Sequence, residues 1–303
     1  MIKRVEDILT LAKGRPDRPR VVVVGSENDA SLETVCAAHA EGLSVATLIG
    51  DRDKTLQIAE ENSLDLSPFE LIDAKDPDEV LEKSFRAMAD GGDFLMKGQF
   101  STGLMMKKVL EKQYGFRTDR ILSYCGAFNA PGENRLMLLT DAGINISPDM
   151  ARKVDIVKNA VDMAHALGIE CPKVAMLAFV EKADDPRIKA TLDAALIAKM
   201  SQQGEIPGCI VDGPFALDNA VSPEAARIKK IGGPVAGQAD ILVTHDINMG
   251  NAIYKALQVW QQALIAGTVL GTKIPIVLTS RADSMPTKLH SIALAILLTK
   301  VNR

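Results

Sequence analysis

The feature that most narrows the fold of this chain is an alternation. Short, nearly continuous apolar runs rich in β-branched residues recur along it, and between them lie longer stretches whose apolar residues repeat at helical spacing. The runs read as strands at 20–25 (RVVVVG), 44–50, 93–98, 135–141, 173–180, 208–213, 239–246 and 274–280. Strands that are apolar on both sides need cover on both faces, and amphipathic helices supply it. The pattern therefore predicts an α/β fold with mostly parallel sheets covered by helices. One helix is legible residue by residue: Ser147 as N-cap, Pro148 in the first helical position, an apolar stripe of Val154, Val157, Val161, Ala164 and Leu167, and Gly168 as the stop.

A chain of 303 residues has room for two lobes. The polar, turn-rich NAPGENR at 129–135 and the glycine-containing stretch 267–273 read as seams. They give a discontinuous first lobe, residues 1–135 plus 271–303, and an inserted second lobe, residues 136–270, with a cleft between them. The closing helix, about 286–300, folds back on the first lobe; this apolar helix and the single tryptophan, Trp260, are expected at a subunit contact.

Charge excludes one class of partner. A net charge of −4 gives no global attraction to phosphate backbones, so nucleic acid is not expected, and any bound anion must be held by local groups. The four cysteines (Cys36, Cys125, Cys171, Cys209) show no CxxC pair, which reads as reduced, mostly buried thiols of a cytoplasmic protein. The N-terminal residues lack the apolar core of a signal peptide. The most apolar stretch, 259–279, is interrupted by Gln261, Gln262 and Lys273, so no membrane span is expected.

Five of the strands run straight into polar clusters at their carboxyl ends. These are Lys97-Gly98 with Ser101-Thr102; Thr140-Asp141; Asp212-Gly213-Pro214; His245-Asp246 with Asn248, Gly250 and Asn251; and Ser280-Arg281. Open parallel sheets bind ligands outside the carboxyl ends of their strands, so the clusters point to an anion-binding site there. Asp246 and Asn248 can satisfy the free N–H groups of the following helix, and Gly250 permits a close approach; Asp246 alone reads equally well as an ordinary cap. Asp218 and Asn219 line a pocket or shape a loop. His39 and His165 read as packed or surface histidines, and so does His290, one turn beyond Thr287. GSENDAS, after the first strand, is neither GxGxxG nor a P-loop, and no carboxylate or histidine spacing indicates a metal.

Several long motifs stand in one order: DFLMKGQFST, LLTDAGINISPD, VDGPFALDNAVS, GPVAGQADILVTHDINMGNAIYKAL and GTKIPIVLTSRADS. In these the chain resembles the phosphate acetyltransferase and phosphate butyryltransferase family from about residue 20 to its end. The LMKG and TSRADS forms look more like the butyryltransferase branch. The resemblance implies a two-lobed fold similar to isocitrate and isopropylmalate dehydrogenases, with the active site in the interlobe cleft. It implies reversible transfer of a short acyl group, butyryl or acetyl, between CoA and inorganic phosphate, with CoA as substrate and no cofactor or metal. A homodimer or larger homo-oligomer, and functional coupling to an acyl kinase, are implied as well.

Ser280 and Arg281 match the family's Ser-Arg pair. Arg281 would bind phosphate through bidentate bonds, and Ser280 would donate to the oxygen of the tetrahedral intermediate or its leaving group. Lys97, Thr102, Asp212, Asp246, Asn248, Gly250 and Asn251 are the expected substrate-binding residues. Where the acetyltransferase branch carries an aspartate seven residues after the serine, this chain has Thr287, which leaves Asp283 as the nearest candidate base. The rival expectations are a non-catalytic acyl-CoA or acyl phosphate binding protein and a metal-dependent hydroxy-acid dehydrogenase on the same scaffold.

Overall fold

A computed structural model describes residues 2–130, 135–280 and 283–299. In chain order its strands are β1 Arg20–Val24, β2 Val45–Gly50, β3 Glu70–Asp73, β4 Phe94–Lys97, β5 Ser123–Asn129, β6 Leu136–Thr140, β7 Lys173–Leu177, β8 Ile210–Phe215, β9 Ile241–Val243, β10 Ile265–Leu270 and β11 Ile276–Val277. The chain separates into two compact units, one of residues 6–119 with 266–303, the other of residues 1–5 with 120–265.

In the first unit the strand order is β3-β2-β1-β4-β11-β10. Neighbours run parallel from β3 to β11, and β10 is antiparallel to β11. The four valines of β1 are fully buried, as a strand covered on both faces requires. The closing helix, Met285–Leu298, starts at the N-cap Ser284 and packs on β11 and on the helix Asp29–Ala40. Its residues Ile292 to Ile296 are fully buried within the single chain, so this helix is not the free apolar face that a subunit contact would need. Trp260, in contrast, is 81% exposed.

In the second unit the order is β5-β6-β9-β7-β8, parallel except for the antiparallel β5–β6 pair. The helix Met150–Ala166 covers this sheet with its stripe of Val154, Val157, Val161 and Ala164 buried. Its N-cap is Asp149, whose carboxylate accepts from Arg152 N at 2.9 Å, so Ser147 and Pro148 precede the helix and do not begin it. Gly168, at φ +83°, follows the last helical turn as expected.

Three strands escape the sequence pattern: β3, β5 and β10. Because β5 pairs along its length with β6, residues 123–129 lie with the second unit, and the division falls after 119, not after 135. The stretch expected as a seam at 267–273 is mostly β10, every residue of which is buried. Of the cysteines only Cys125 is buried, Cys171 is exposed and Cys36 and Cys209 lie between, so the thiols are not mostly buried. Among the described residues no helix is long and apolar enough to cross a membrane.

Candidate functional site

Each unit gathers polar groups at the carboxyl ends of its central strands. In the first unit, β1, β4 and β11 are neighbours, with Lys97 opposite Val24 and Met96 opposite Val277. The turns leaving β1 and β4 pack backbone on backbone. Gly25 adopts φ +77°, and a Cβ there would come 2.6 Å from the Gln99 carbonyl oxygen. Lys97, the last residue of β4, is half-buried, and its ammonium donates to the carbonyls of Gly98 (3.2 Å) and Phe100 (3.3 Å). Ser101 caps the next helix by accepting from Leu104 N, and Thr102, its first residue, is exposed.

Beside Lys97, the chain leaves β11 and reaches Ser280. Its side chain is exposed, and its backbone N–H donates to the Asp283 carboxylate at 2.7 Å. The Asp283 N–H returns a bond to the Ser280 carbonyl at 3.1 Å. Asp283 is 7% exposed, so this carboxylate ties the turn closed from inside. Arg281 lies outside the described residues. Ser284 then caps the final helix, accepting from Thr287 N. Thr287 is buried, and His290 donates its Nδ1 proton to the Pro286 carbonyl at 2.7 Å.

In the second unit, β6 and β9 are neighbours, with Thr140 opposite Val243. Asp141 follows β6 and is 3% exposed. One of its oxygens accepts from the backbone N–H groups of Tyr124 (3.2 Å), Gly143 (2.8 Å) and Ile144 (3.0 Å), the other from Asn145 N (3.0 Å) and Asn145 Nδ2 (2.6 Å). Burial raises the Asp141 pKa above the usual carboxylate range even against these donors. With five bonds already made inside the protein, Asp141 builds the turn.

After β9, the Thr244 hydroxyl lies 3.1 Å from the Asp141 carbonyl oxygen, and Asp246 caps the helix Ile247–Val259 by accepting from Met249 N at 3.0 Å. Gly250 is buried against this turn: a Cβ there would overlap the Asp141 carbonyl oxygen and come 2.9 Å from the Thr244 hydroxyl. The close approach expected at Gly250 is thus made by the protein's own backbone. Asn248 and Asn251 are exposed on the first turns of the helix, and Asn251 Nδ2 approaches the Ala142 carbonyl at 3.4 Å.

Asp212 stands apart from this group. It lies within β8, opposite Ala175 of β7, and does not end the strand, which continues to Phe215. The register with β7 shifts just past the aspartate, and pairing resumes with Phe215 opposite Leu177. Its carboxylate accepts from Gly213 N at 2.8 Å. Further along, Asn219 is fully buried and bonds Glu181, while Lys229 bridges Glu181 and Asp218. This supports loop-shaping for both Asp218 and Asn219.

One group was not anticipated. Lys153, on the helix Met150–Ala166, is 1% exposed. Its ammonium donates to Asp193 Oδ2 at 2.7 Å and lies 2.6 Å from His245 Nδ1. Lys189 closes on the same Asp193 carboxylate at 2.8 and 2.6 Å. Burial pushes Asp193 upward, but Lys153 and Lys189 together outweigh it and hold the carboxyl below its ordinary range. Burial, opposed by Asp193, lowers the Lys153 pKa. The sequence held one signal: Lys153 sits four residues before Val157, on the buried stripe where a solvated lysine does not belong.

The chain is similar to known proteins over nearly its whole length. The family model described as phosphate acetyl/butaryl transferase matches residues 87–296. A phosphate butyryltransferase of Clostridium beijerinckii is 41% identical over 100% of both chains, and a phosphate acetyltransferase of Thermotoga maritima is 40% identical over 96% of this chain and 98% of its own. Among solved structures, a branched-chain phosphotransacylase from Enterococcus faecalis superposes with a TM-score of 0.82 at 30% identity, covering 93% of this chain and 99% of that one.

Proposed function

Because this chain belongs to the phosphate acetyltransferase and phosphate butyryltransferase family, we propose that it catalyses reversible transfer of a short acyl group between CoA and inorganic phosphate. The observation that carries the reading is the Ser280 turn: an exposed serine beyond the carboxyl end of β11, the strand next to the one that ends at Lys97, in a turn that the buried Asp283 holds in shape. In the acyl phosphate-forming direction, phosphate held by Arg281 attacks the thioester carbonyl. The tetrahedral oxyanion gains the Ser280 hydroxyl as donor, and the carbon–sulfur bond breaks to release CoA thiolate. Holding both reactants together supplies much of the rate. Asp283 acts through the turn it closes. Thr287 occupies the place of the acetyltransferase aspartate and cannot serve as a base, so the cationic surroundings lower the thiol pKa instead.

CoA is the substrate here, and no retained cofactor takes part. We place the protein in the cytoplasm, as a homo-oligomer, delivering acyl phosphate to an acyl kinase. The relatives named for butyryl and acetyl transfer are 41% and 40% identical, so identity does not choose between them; the side chains lining the acyl pocket set chain length, where one methylene is worth only ~1–3 kcal/mol.

The test is thiol release. The protein is incubated with acetyl-, propionyl- or butyryl-CoA plus phosphate, and free CoA is followed. Phosphate-dependent release with at least one of them is expected. Binding without release identifies a non-catalytic acyl-CoA protein, and NAD(P)-linked, EDTA-sensitive turnover identifies a dehydrogenase. Arg281→Ala is expected to lower phosphate use by about tenfold or more, the worth of one charge-assisted bond, with an unchanged circular dichroism spectrum.

A further inference from the structure

A buried lysine needs an explanation that packing alone does not give. Replacing a buried ion pair by apolar groups of equal volume is commonly neutral or stabilising, so Lys153 and Asp193 are a poor device for stability. What they do is act on a third residue. An ammonium has protons to give and no lone pair, so at 2.6 Å the His245 Nδ1 must be the acceptor. The ring proton then sits on Nε2. A second proton on Nδ1 would face the ammonium directly. Burial, and after it the charge of Lys153, hold the His245 pKa below its ordinary value.

The charged groups around the ring come from three elements. Lys153 faces it from the helix Met150–Ala166, Asp193 and Lys189 from the helix Lys189–Gln202, and Asp246 is its chain neighbour. The two carboxylates favour the imidazolium and the two ammoniums oppose it; the hydrogen bond from Lys153 decides the tautomer. On its other side His245 is only partly covered, and Nε2 has no partner among the described residues. His245 follows the carboxyl end of β9, next in the chain to Thr244, whose hydroxyl bonds the Asp141 carbonyl.

We propose that Lys153 fixes His245 as a neutral imidazole whose Nε2–H donates a hydrogen bond to a phosphoryl or acyl oxygen of substrate bound at the carboxyl end of β9, within the second unit. His245 touches substrate; Lys153 is its positioning residue. The identity of the ligand rests on the acyl-transfer reading above. A neutral donor suits that chemistry, because it polarises an oxygen without surrendering a proton to it.

The experiment is long-range proton–nitrogen NMR of the imidazoles in the full chain, which contains four histidines. The His245 signals are assigned by their loss in His245→Gln. The expected spectrum has a protonated Nε2 and a bare Nδ1 from about pH 6.5 to 8. In Lys153→Met, where Asp193 keeps Lys189, the ring is expected to mix tautomers and to titrate at a higher pH than in the parent, with burial still holding it low. A wild-type ring protonated on Nδ1, or an imidazolium within that pH range, overturns the proposal whether or not the lysine variant folds.

Inorganic phosphate, CoA and acetyl phosphate are then added separately. A shift of Nε2–H with phosphate and acetyl phosphate assigns the phosphoryl oxygen; a shift with acetyl phosphate alone assigns the acyl carbonyl; a shift with CoA assigns its phosphates. No shift with any of them overturns the proposal. His245→Phe should raise KM for the ligand so identified by roughly tenfold, while His245→Gln, which retains a donor, should change it less than about threefold. The tautomer and the shifts are read without turnover, so a protein inactive in thiol release fails the acyl-transfer reading alone.

Discussion

Asp141→Asn isolates the polar construction of the second unit from any chemistry. The two side chains have the same shape, but one carboxylate oxygen becomes an amide that can only donate. If the remaining oxygen keeps the three bonds from Tyr124, Gly143 and Ile144, the new amide faces the N–H and the side-chain amide of Asn145. Two bonds to a charged acceptor are lost, at ~1.5–3 kcal/mol each. Rotating the Asn145 amide does not repair this, because its Nδ2 also donates to the Leu122 carbonyl at 2.8 Å. Some of the loss is returned, since burial disfavours the Asp141 charge. The net expectation is about 3 kcal/mol of destabilisation. Two units need not unfold together, so urea denaturation followed by circular dichroism should be paired with hydrogen exchange of the segment 121–146. A shift below about 1 kcal/mol, or amides at 143–145 exchanging as slowly as in the parent, refutes the assignment of Asp141 as the keystone of this turn.

Other perturbations probe neighbouring features. Gly250→Ala forces a methyl into the Asp141 carbonyl, and should cost ~1–3 kcal/mol in urea denaturation at neutral pH. Asp283→Ala releases the Ser280 N–H; kcat/KM for thiol release should fall by about tenfold or more, and the urea midpoint should fall by the worth of one bond to a charged acceptor, ~1.5–3 kcal/mol. Stability should also depend on His245. Its folded pKa is depressed, so just below about 6.5 the unfolded chain binds the extra proton, and stability that is full above that pH falls as the pH drops. Urea midpoints at pH 7.5 and 5.5 check this, and His245→Gln should flatten the difference. Asp193, depressed as well, acts only below its own unfolded value of about 3.9, outside that window.

What the sequence disclosed follows from which forces act locally. Valine-rich β1 and β2 and the stripe on Met150–Ala166 are one-dimensional signals, and they appear where expected. β5, SYCGAFN, carries small and polar residues because Gly126 lies against Ile265 and its face is set by distant neighbours. β10 contains Gly267, whose N–H is bound by the Ser291 hydroxyl, a partner 24 residues away. In the site, the Ser280 turn could be read because its groups are adjacent in the chain. The Lys153–Asp193–His245 group could not, since its members are 40 and 92 residues apart. Asp212 illustrates the opposite error: a polar residue taken for a strand end, although β8 runs on through a register shift and pairs Phe215 with Leu177.

The order of strands in the first unit has a consequence for how the protein is made. β11 pairs with β4, yet it is translated some 180 residues later, after the whole second unit has been translated. Until then the hydrogen-bonding edge of β4 stays open and the hydrophobic cover of the final helix is missing, a state prone to mispairing. A ribosome that stops short of residue 266 therefore releases a chain with one unit ready to fold and the other unable to close its sheet. The turn bearing Ser280 comes into being only with the last insertion, so the acyl-transfer chemistry and the completion of the nascent fold arrive together.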